Sequence, residues 1–339
     1  MSASSVTPAS SAKAPPVRTR SPWRVVFERV TPFGSIAVLI AMVAVFAIVN
    51  PSEFWTSENL ISILNDGSLL AIIAGGLTVV LISLDFDLSV GAMATLGGIT
   101  LALLLQKHVA LGFALVIVAA LAAVVGLFNG LIVARLGVSA FIATLAMMTI
   151  LNGLSTWWAN GASVQVQNAT VTNWATDKVA GVPVPVIVTV VWYLGLWFVL
   201  ERTTIGRRIY VTGANREAAR LGGVRVSRYR LGAFMVCSIS AALAGILLTS
   251  KLFGAYQGGG DPFLLDAYGA VFLGAVTLRI GQFHIIGTIV GALILSVLSN
   301  GLTILSAPAY VTSLLKGVIL IAAVAIAGTS GTLKRRTSR

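Results

Sequence analysis

Residues 60–105 read LISILNDGSLLAIIAGGLTVVLISLDFDLSVGAMATLGGITLALLL: a long apolar run, a short break carrying Asp85 and Asp87, and a second apolar run that opens on Gly91-Ala92-Met93-Ala94. A helix needs about 20 apolar residues to cross the hydrocarbon core of a bilayer, and the first run is long enough. The alternation of apolar run and polar break continues along the chain. Of its 339 residues, 57% are hydrophobic and 10% are charged, where a soluble domain carries roughly 25% charge. So little polar material does not cover a surface in water. The chain is therefore read as an all-α polytopic membrane protein, since a helix in lipid satisfies its own backbone.

Outward from that stretch, ten spans are expected. The first is Phe33 to Val49 and the second about 60–83; the third ends near Gln106-Lys107-His108, and the fourth, 109–134, stops at Arg135. The fifth, 139–158, closes on Trp157 and Trp158 as an aromatic belt, ahead of an external loop at 159–182. Pro183 and Pro185 open the sixth, which ends near Leu200; the rest are 231–252, a short run at 267–278 stopping at Arg279, 283–304 and 308–327. The stretches 60–105 and 253–305 leave room for broken or re-entrant helices.

Charge orients the bundle. The formal net charge is +12, from 23 basic and 11 acidic residues. Nineteen of the bases fall in the two tails or in loops on one side, Lys107, Lys178 and Lys251 fall on the other, and Lys316 lies within the last span. That is the positive-inside pattern, so the excess reports orientation, with both termini cytoplasmic, and not a nucleic-acid partner. Residues 1–32 are expected as a disordered basic cytoplasmic tail, 33–328 as the membrane domain and 329–339 as a second basic tail. The single cysteine, Cys237, excludes an internal disulfide and any multi-cysteine metal site.

The breaks have two readings. Asp87 or Ser89 can cap the helix that follows, as in an ordinary tight turn. Alternatively the helix is discontinuous and its polar ends line a solute path. A similar segment comes late: Gly258-Gly259-Gly260-Asp261-Pro262, then Asp266 and Tyr268-Gly269-Ala270. The likeness hints at internal duplication, although three glycines also suit a plain loop. Asn65, Asp66, Asn129, Asn152, Asn300 and Lys316 are polar residues inside apolar runs. An amine such as that of Lys316 is expensive in a membrane unless paired, and Asp66 or Asp266 is its candidate partner. Two scattered histidines, no His-Glu-x-x-His and no phosphate-binding loop exclude a self-contained ATPase and leave no catalytic residue, metal site or cofactor site in this chain.

The loop at 201–230 carries Arg202, Arg207, Arg208, Arg216, Arg220, Arg225, Arg228 and Arg230 against Glu201 and Glu217. Within it, Thr212 to Gly223 reads as a short helix, capped by Thr212 or Asn215 and ended by Gly222-Gly223. Asn215, Arg216, Glu217, Ala218, Ala219, Arg220, Leu221 and Gly222 suit a docking helix: alanines with Leu221 fit a groove while the charged residues make directional contacts. A solvated basic loop against lipid headgroups explains the charge but not the compact Ala/Leu face.

Residues 213–223 resemble the cytoplasmic coupling motif of bacterial ABC permeases for sugars, the ribose/xylose/galactose branch related to branched-chain amino-acid permeases. Asp87-Leu88-Ser89-Val90-Gly91 resembles that branch's Gly-Ile-Asp-Leu-Ser-Val-Gly segment, with Asp85-Phe86 in place of its usual Gly-Ile. The likeness extends through Asn129-Gly130, Phe141-Ile142-Ala143-Thr144-Leu145 and 269–291, covering roughly 35–328. It implies an inner-membrane permease that forms a homodimer. It further implies ABC ATP-binding partners, separate or fused to one another, that hold the ATP and Mg, and an extracytoplasmic solute-binding protein. In this reading the chain is no enzyme but a path for a monosaccharide, pentose or hexose, with Asp87, Ser89, Asn129, Asn300 and Lys316 as path or gate-network residues. A branched-chain amino acid, a nucleoside or a sugar-like signalling molecule fits the same architecture, and an ion-coupled secondary transporter is the competing class.

Overall fold

The computed structural model describes residues 34–166, 168–277 and 281–337. The expected tail at 1–32 and the stop at Arg279 lie outside the described residues. Each expected span is matched by a helix: α1 (Gly34–Val49), α3 (Ser57–Ile82), α4 (Val90–Gln106), α5 (Leu111–Ala134), α6 (Ala140–Trp158), α8 (Val184–Trp197), α11 (Val226–Lys251), α12 (Pro262–Ala275), α13 (Ile285–Ile304) and α14 (Ala309–Thr337). Short helices α2 (Pro51–Phe54), α7 (Ala169–Asn173), α9 (Thr204–Ala214) and α10 (Arg216–Leu221) occupy the connections, and α8 runs on through a π-turn at Phe198–Arg202. Among the described residues, seven helices are long and apolar enough to cross a membrane, α8 being counted with its π-turn, whereas α1, α4 and α12 are shorter.

Three boundaries differ most from hydropathy, and the largest difference is at α14, which runs to Thr337 instead of 327 and so takes in most of the expected tail at 329–339. Helix α11 starts at Val226 instead of 231, taking in Arg228 and Arg230, because Arg230 is buried against a carboxylate. Helix α12 starts at Pro262, directly after the glycine run, and ends at Ala275.

The bundle is layered. Within its most apolar window, α3 is 83% buried and α11 and α13 are 61% buried, while α14 is only 6% buried. Helices α3, α4, α11, α12 and α13 thus form the interior, and α5, α6, α8 and α14 present Phe113, Ile142, Leu194, Leu314 and Ile321 outward. Such a surface is tolerable where lipid is the solvent. Lipid gives no hydrophobic drive for helices to associate, so close packing must hold them together. A Cβ on Gly245 of α11 would stand 2.0 Å from the Ala94 carbonyl oxygen of α4, and one on Gly126 of α5 would stand 2.5 Å from Met235 Cα.

At the end away from the basic loop, β1 (Val164–Gln165) pairs antiparallel with β4 (Gly254–Ala255), and β2 (Lys178–Val179) with β3 (Val182–Pro183). Asn65 Nδ2 donates to the Ala175 carbonyl and Ala175 N to Ser250 Oγ, which fastens the 159–182 loop over α3 and α11.

Candidate functional site

Helix α3 ends abruptly. Leu84 takes φ 55°, a left-handed conformation that costs a bulky residue about 1–2 kcal/mol. Its surroundings hold it there. Arg216 Nη2 donates to the Ser83 and Leu84 carbonyls, both at 3.0 Å, so a guanidinium closes the negative end of α3. The same nitrogen reaches Asp85 Oδ1 at 2.9 Å. Arg230 adds a two-pronged pair, Nε to Oδ2 and Nη2 to Oδ1, both 2.7 Å. Asp85 and Arg230 are only 3% and 7% exposed. One buried carboxylate therefore joins the end of α3, the first residue of α10 and the first turns of α11. Gly213 completes the fit: a Cβ there would stand 1.9 Å from the Ile82 carbonyl oxygen.

Two residues on, the break turns inward. Asp87 Oδ1 accepts from Ser89 N at 2.9 Å and from Ser89 Oγ at 2.5 Å, and Ser89 Oγ accepts from Asn129 Nδ2 of α5 at 3.0 Å. Asp87 N donates to Tyr268 Oη of α12, and Leu88 N to Thr144 Oγ1 of α6, both 3.0 Å. The Cys237 thiol of α11 faces the same carboxylate. Asp87, Ser89 and Asn129 are fully buried. In this conformation they hold the backbone of the break, and none of the three lines the cavity beside it.

The other two path candidates lie elsewhere. Asn300 Nδ2 donates to Asn59 Oδ1 at 2.8 Å, tying the end of α13 to the start of α3. Lys316 Nζ meets Asp266 Oδ2 at 2.6 Å, joining α14 to α12; the other candidate partner, Asp66, pairs with Lys251 instead.

The two acid-bearing breaks abut. Gly260 N donates to Thr95 Oγ1 at 2.9 Å, and a Cβ on Gly91 would lie 2.9 Å from the Gly260 carbonyl oxygen. Residues 252–261 thus return into the bundle and start α12 against the first turns of α4. A cavity of about 740 Å³ opens beside the first of these breaks, lined by Asp85, Phe86, Arg216, Arg230, Leu265 and Tyr268 among others. Phe86, Tyr268 and Phe272 stack along it, with centroids 6.3 and 6.5 Å apart.

On α10, Asn215 is the cap: its Oδ1 accepts from Glu217 N and Ala218 N, each at 3.0 Å. Glu217, Ala218, Arg220, Leu221 and Gly222 are exposed, Leu221 by 84%. Ala219 is buried and Arg216 turns into the bundle. Arg230, Thr144 and Tyr268 had no role in the sequence reading. A guanidinium at the mouth of an apolar run was the available signal for Arg230, because it demands a carboxylate.

Residues 59–324 match the family described as branched-chain amino acid transport system / permease component. The ribose import permease protein RbsC of Escherichia coli K12 is 36% identical over 296 residues, covering 86% of this chain and 92% of that protein. The D-allose transport system permease protein AlsC of the same organism is 31% identical, covering 87% and 90%. Its xylose transport system permease protein XylH is 28% identical, covering 86% and 90%. No solved structure matches. With a bundle of apolar helices, a short exposed helix clamped to a helix break, and a family match over most of its length, the chain belongs to the branched-chain amino acid transport type of permease components, alongside sugar import permeases.

Proposed function

We propose that this chain is the membrane subunit of an ATP-driven importer for a monosaccharide, a pentose or hexose, in a bacterial inner membrane with both termini cytoplasmic. The observation that carries the reading is the Asp85 clamp, which makes the exposed helix α10 continuous with the break beside the cavity. Force applied to α10 by an ATP-binding subunit reaches the cavity wall through charge-assisted hydrogen bonds and without a flexible linker. ATP and Mg belong to that partner, and an extracytoplasmic binding protein supplies the solute. A second copy of the chain closes the cavity into a path. The sugar import permeases among the relatives support a sugar over a branched-chain amino acid, nucleoside or signalling molecule.

The docking contact rests on Glu217, Ala218, Arg220, Leu221 and Gly222, while Asn215, Arg216 and Ala219 position the helix. Asp87, Ser89 and Asn129 act as the gate network by fixing the break, and Asn300 and Lys316 brace the bundle outside it. The test is reconstitution in vesicles. ATP-dependent uptake of a pentose or hexose should require the permease, the ATP-binding subunit and the binding protein together. Uptake by the purified chain alone under a Na⁺ or H⁺ gradient would instead establish an ion-coupled transporter.

Two substitutions probe the assignment. Glu217→Arg reverses an exposed charge on α10 and should leave membrane insertion intact while lowering solute-stimulated ATP hydrolysis severalfold; wild-type stimulation at equal protein levels would remove Glu217 from the contact. Lys316→Met leaves Asp266 unpaired at a half-buried position. It should cost about 1–3 kcal/mol of stability, less than the loss of a fully buried partner, and slow uptake more than it lowers insertion. Adding Asp266→Asn should recover part of the loss, and no recovery in the double variant would show that the pair is not what Lys316 contributes.

A further inference from the structure

A groove of about 920 Å³ runs between α8, α9 and the start of α11, on the flank of the bundle. Its floor is apolar, from Val191 and Trp192 to Ile205 and Ile209, and its rim carries Arg208, Arg225 and Arg228. All three arginines are exposed. Among the described residues none has a carboxylate within ion-pair distance. Arg208 is held in place by a hydrogen bond from Nη1 to Tyr229 Oη at 2.7 Å, with its guanidinium over the Tyr229 ring. Trp192 is held as well, its Nε1 donating to Ser240 Oγ at 3.1 Å. The wall is thus formed by fixed side chains.

We propose that this groove binds an anionic phospholipid, with its phosphate on Arg208, Arg225 and Arg228 and an acyl chain along Val191 and Trp192. Depth identifies the occupant. Val191 lies eleven residues before Arg202, about 16 Å along the helix, and a water-soluble partner docking on the basic loop does not reach that level. Charge excludes a second copy of the chain seated in the groove. A two-fold contact presents the same patch from both sides, and would set three arginines against three with no carboxylate between them. Charge also selects among lipids, because a zwitterionic headgroup brings its own cation to the rim, whereas an anionic one adds net negative charge. The site sits directly behind Gly223, where α10 joins α11, so the lipid would pack under the base of the docking helix.

The test uses the full-length chain in phosphatidylcholine bilayers carrying brominated phosphatidylglycerol or brominated phosphatidylcholine. The Trp192 signal is the difference in quenching between the wild type and Trp192→Phe. Brominated phosphatidylglycerol should quench it at a mole fraction roughly tenfold lower than brominated phosphatidylcholine. Arg225→Gln/Arg228→Gln should bring the two within about twofold, since each arginine at a membrane surface is worth about a fivefold factor and two together exceed the tenfold difference. Removing these cations from the start of α11 does not weaken that helix, whose amino end disfavours positive charge. Arg207→Gln/Arg220→Gln removes equal charge outside the groove and should keep the preference. Equal quenching by both lipids in the wild type, or loss of preference in the outer pair of substitutions as well, overturns the proposal. Displacement by millimolar inorganic phosphate at constant ionic strength overturns the assignment to a lipid.

Discussion

Asp85→Ala is expected to stop solute uptake while the ATP-binding partner continues to hydrolyse ATP. Removing the carboxylate leaves Arg216 and Arg230 without their shared acceptor, and Arg230 is buried. Breaking a buried pair from one side costs about 3–5 kcal/mol, most of it the penalty of the stranded charge. Arg216 keeps the Ser83 and Leu84 carbonyls, so α10 still forms, but α11 loses its tie to the break. The measurement is the ratio of solute moved to ATP hydrolysed in vesicles. Asp85→Leu with Arg230→Leu separates folding from coupling: it removes both charges, and should restore most of the lost stability but not the ratio. A wild-type ratio in Asp85→Ala at wild-type protein levels would falsify the clamp as the route from docking helix to cavity.

Gly260→Val should do damage of another kind. A Cβ at Gly260 would stand 2.2 Å from the Gly91 carbonyl oxygen and 3.0 Å from the Ala94 Cβ and Thr95 N. These neighbours are mostly backbone, and the Gly260 amide is itself bonded to Thr95. No flexible side chain can yield, so the two breaks must separate. The expected cost is about 3 kcal/mol or more, read as a fall of roughly 6–12 °C in the unfolding midpoint in detergent. Gly153→Val is the control, because a Cβ there meets nothing within 4 Å. If both variants unfold together, the contact at Gly91 is not a packing constraint.

Hydropathy and charge read the ten apolar helices correctly because each is a local property of one run. The cap at Asn215 was legible because capping depends on neighbours two or three residues away; the expected cap of α4 by Asp87 or Ser89 is not made, because Asp87 Oδ1 is taken by Ser89 N and Oγ, ahead of the helix's first turn. The clamp was not legible. Asp85 lies 131 residues from Arg216 and 145 from Arg230, and hydropathy alone put Arg230 outside the seventh span. The inward turn of Arg216 and Ala219 depends on α3, which the loop sequence does not describe. Lys316 is an intermediate case: the cost of a lone amine demanded a carboxylate and left two choices, and the fold chose Asp266. Among the path candidates, Asp87, Ser89 and Asn129 meet in one network, while Asn300 and Lys316 belong to separate contacts.

The long separation within the clamp also sets an order of assembly. When α3 and α4 enter the membrane during synthesis, both arginines that neutralise Asp85 are still unmade. At 5–20 residues per second, some 145 residues take roughly 7–29 s to arrive. During that interval the left-handed turn at Leu84 lacks the guanidinium that closes it. The first half of the bundle is therefore made before either residue that neutralises Asp85, and α11 is the element whose arrival supplies the buried partner.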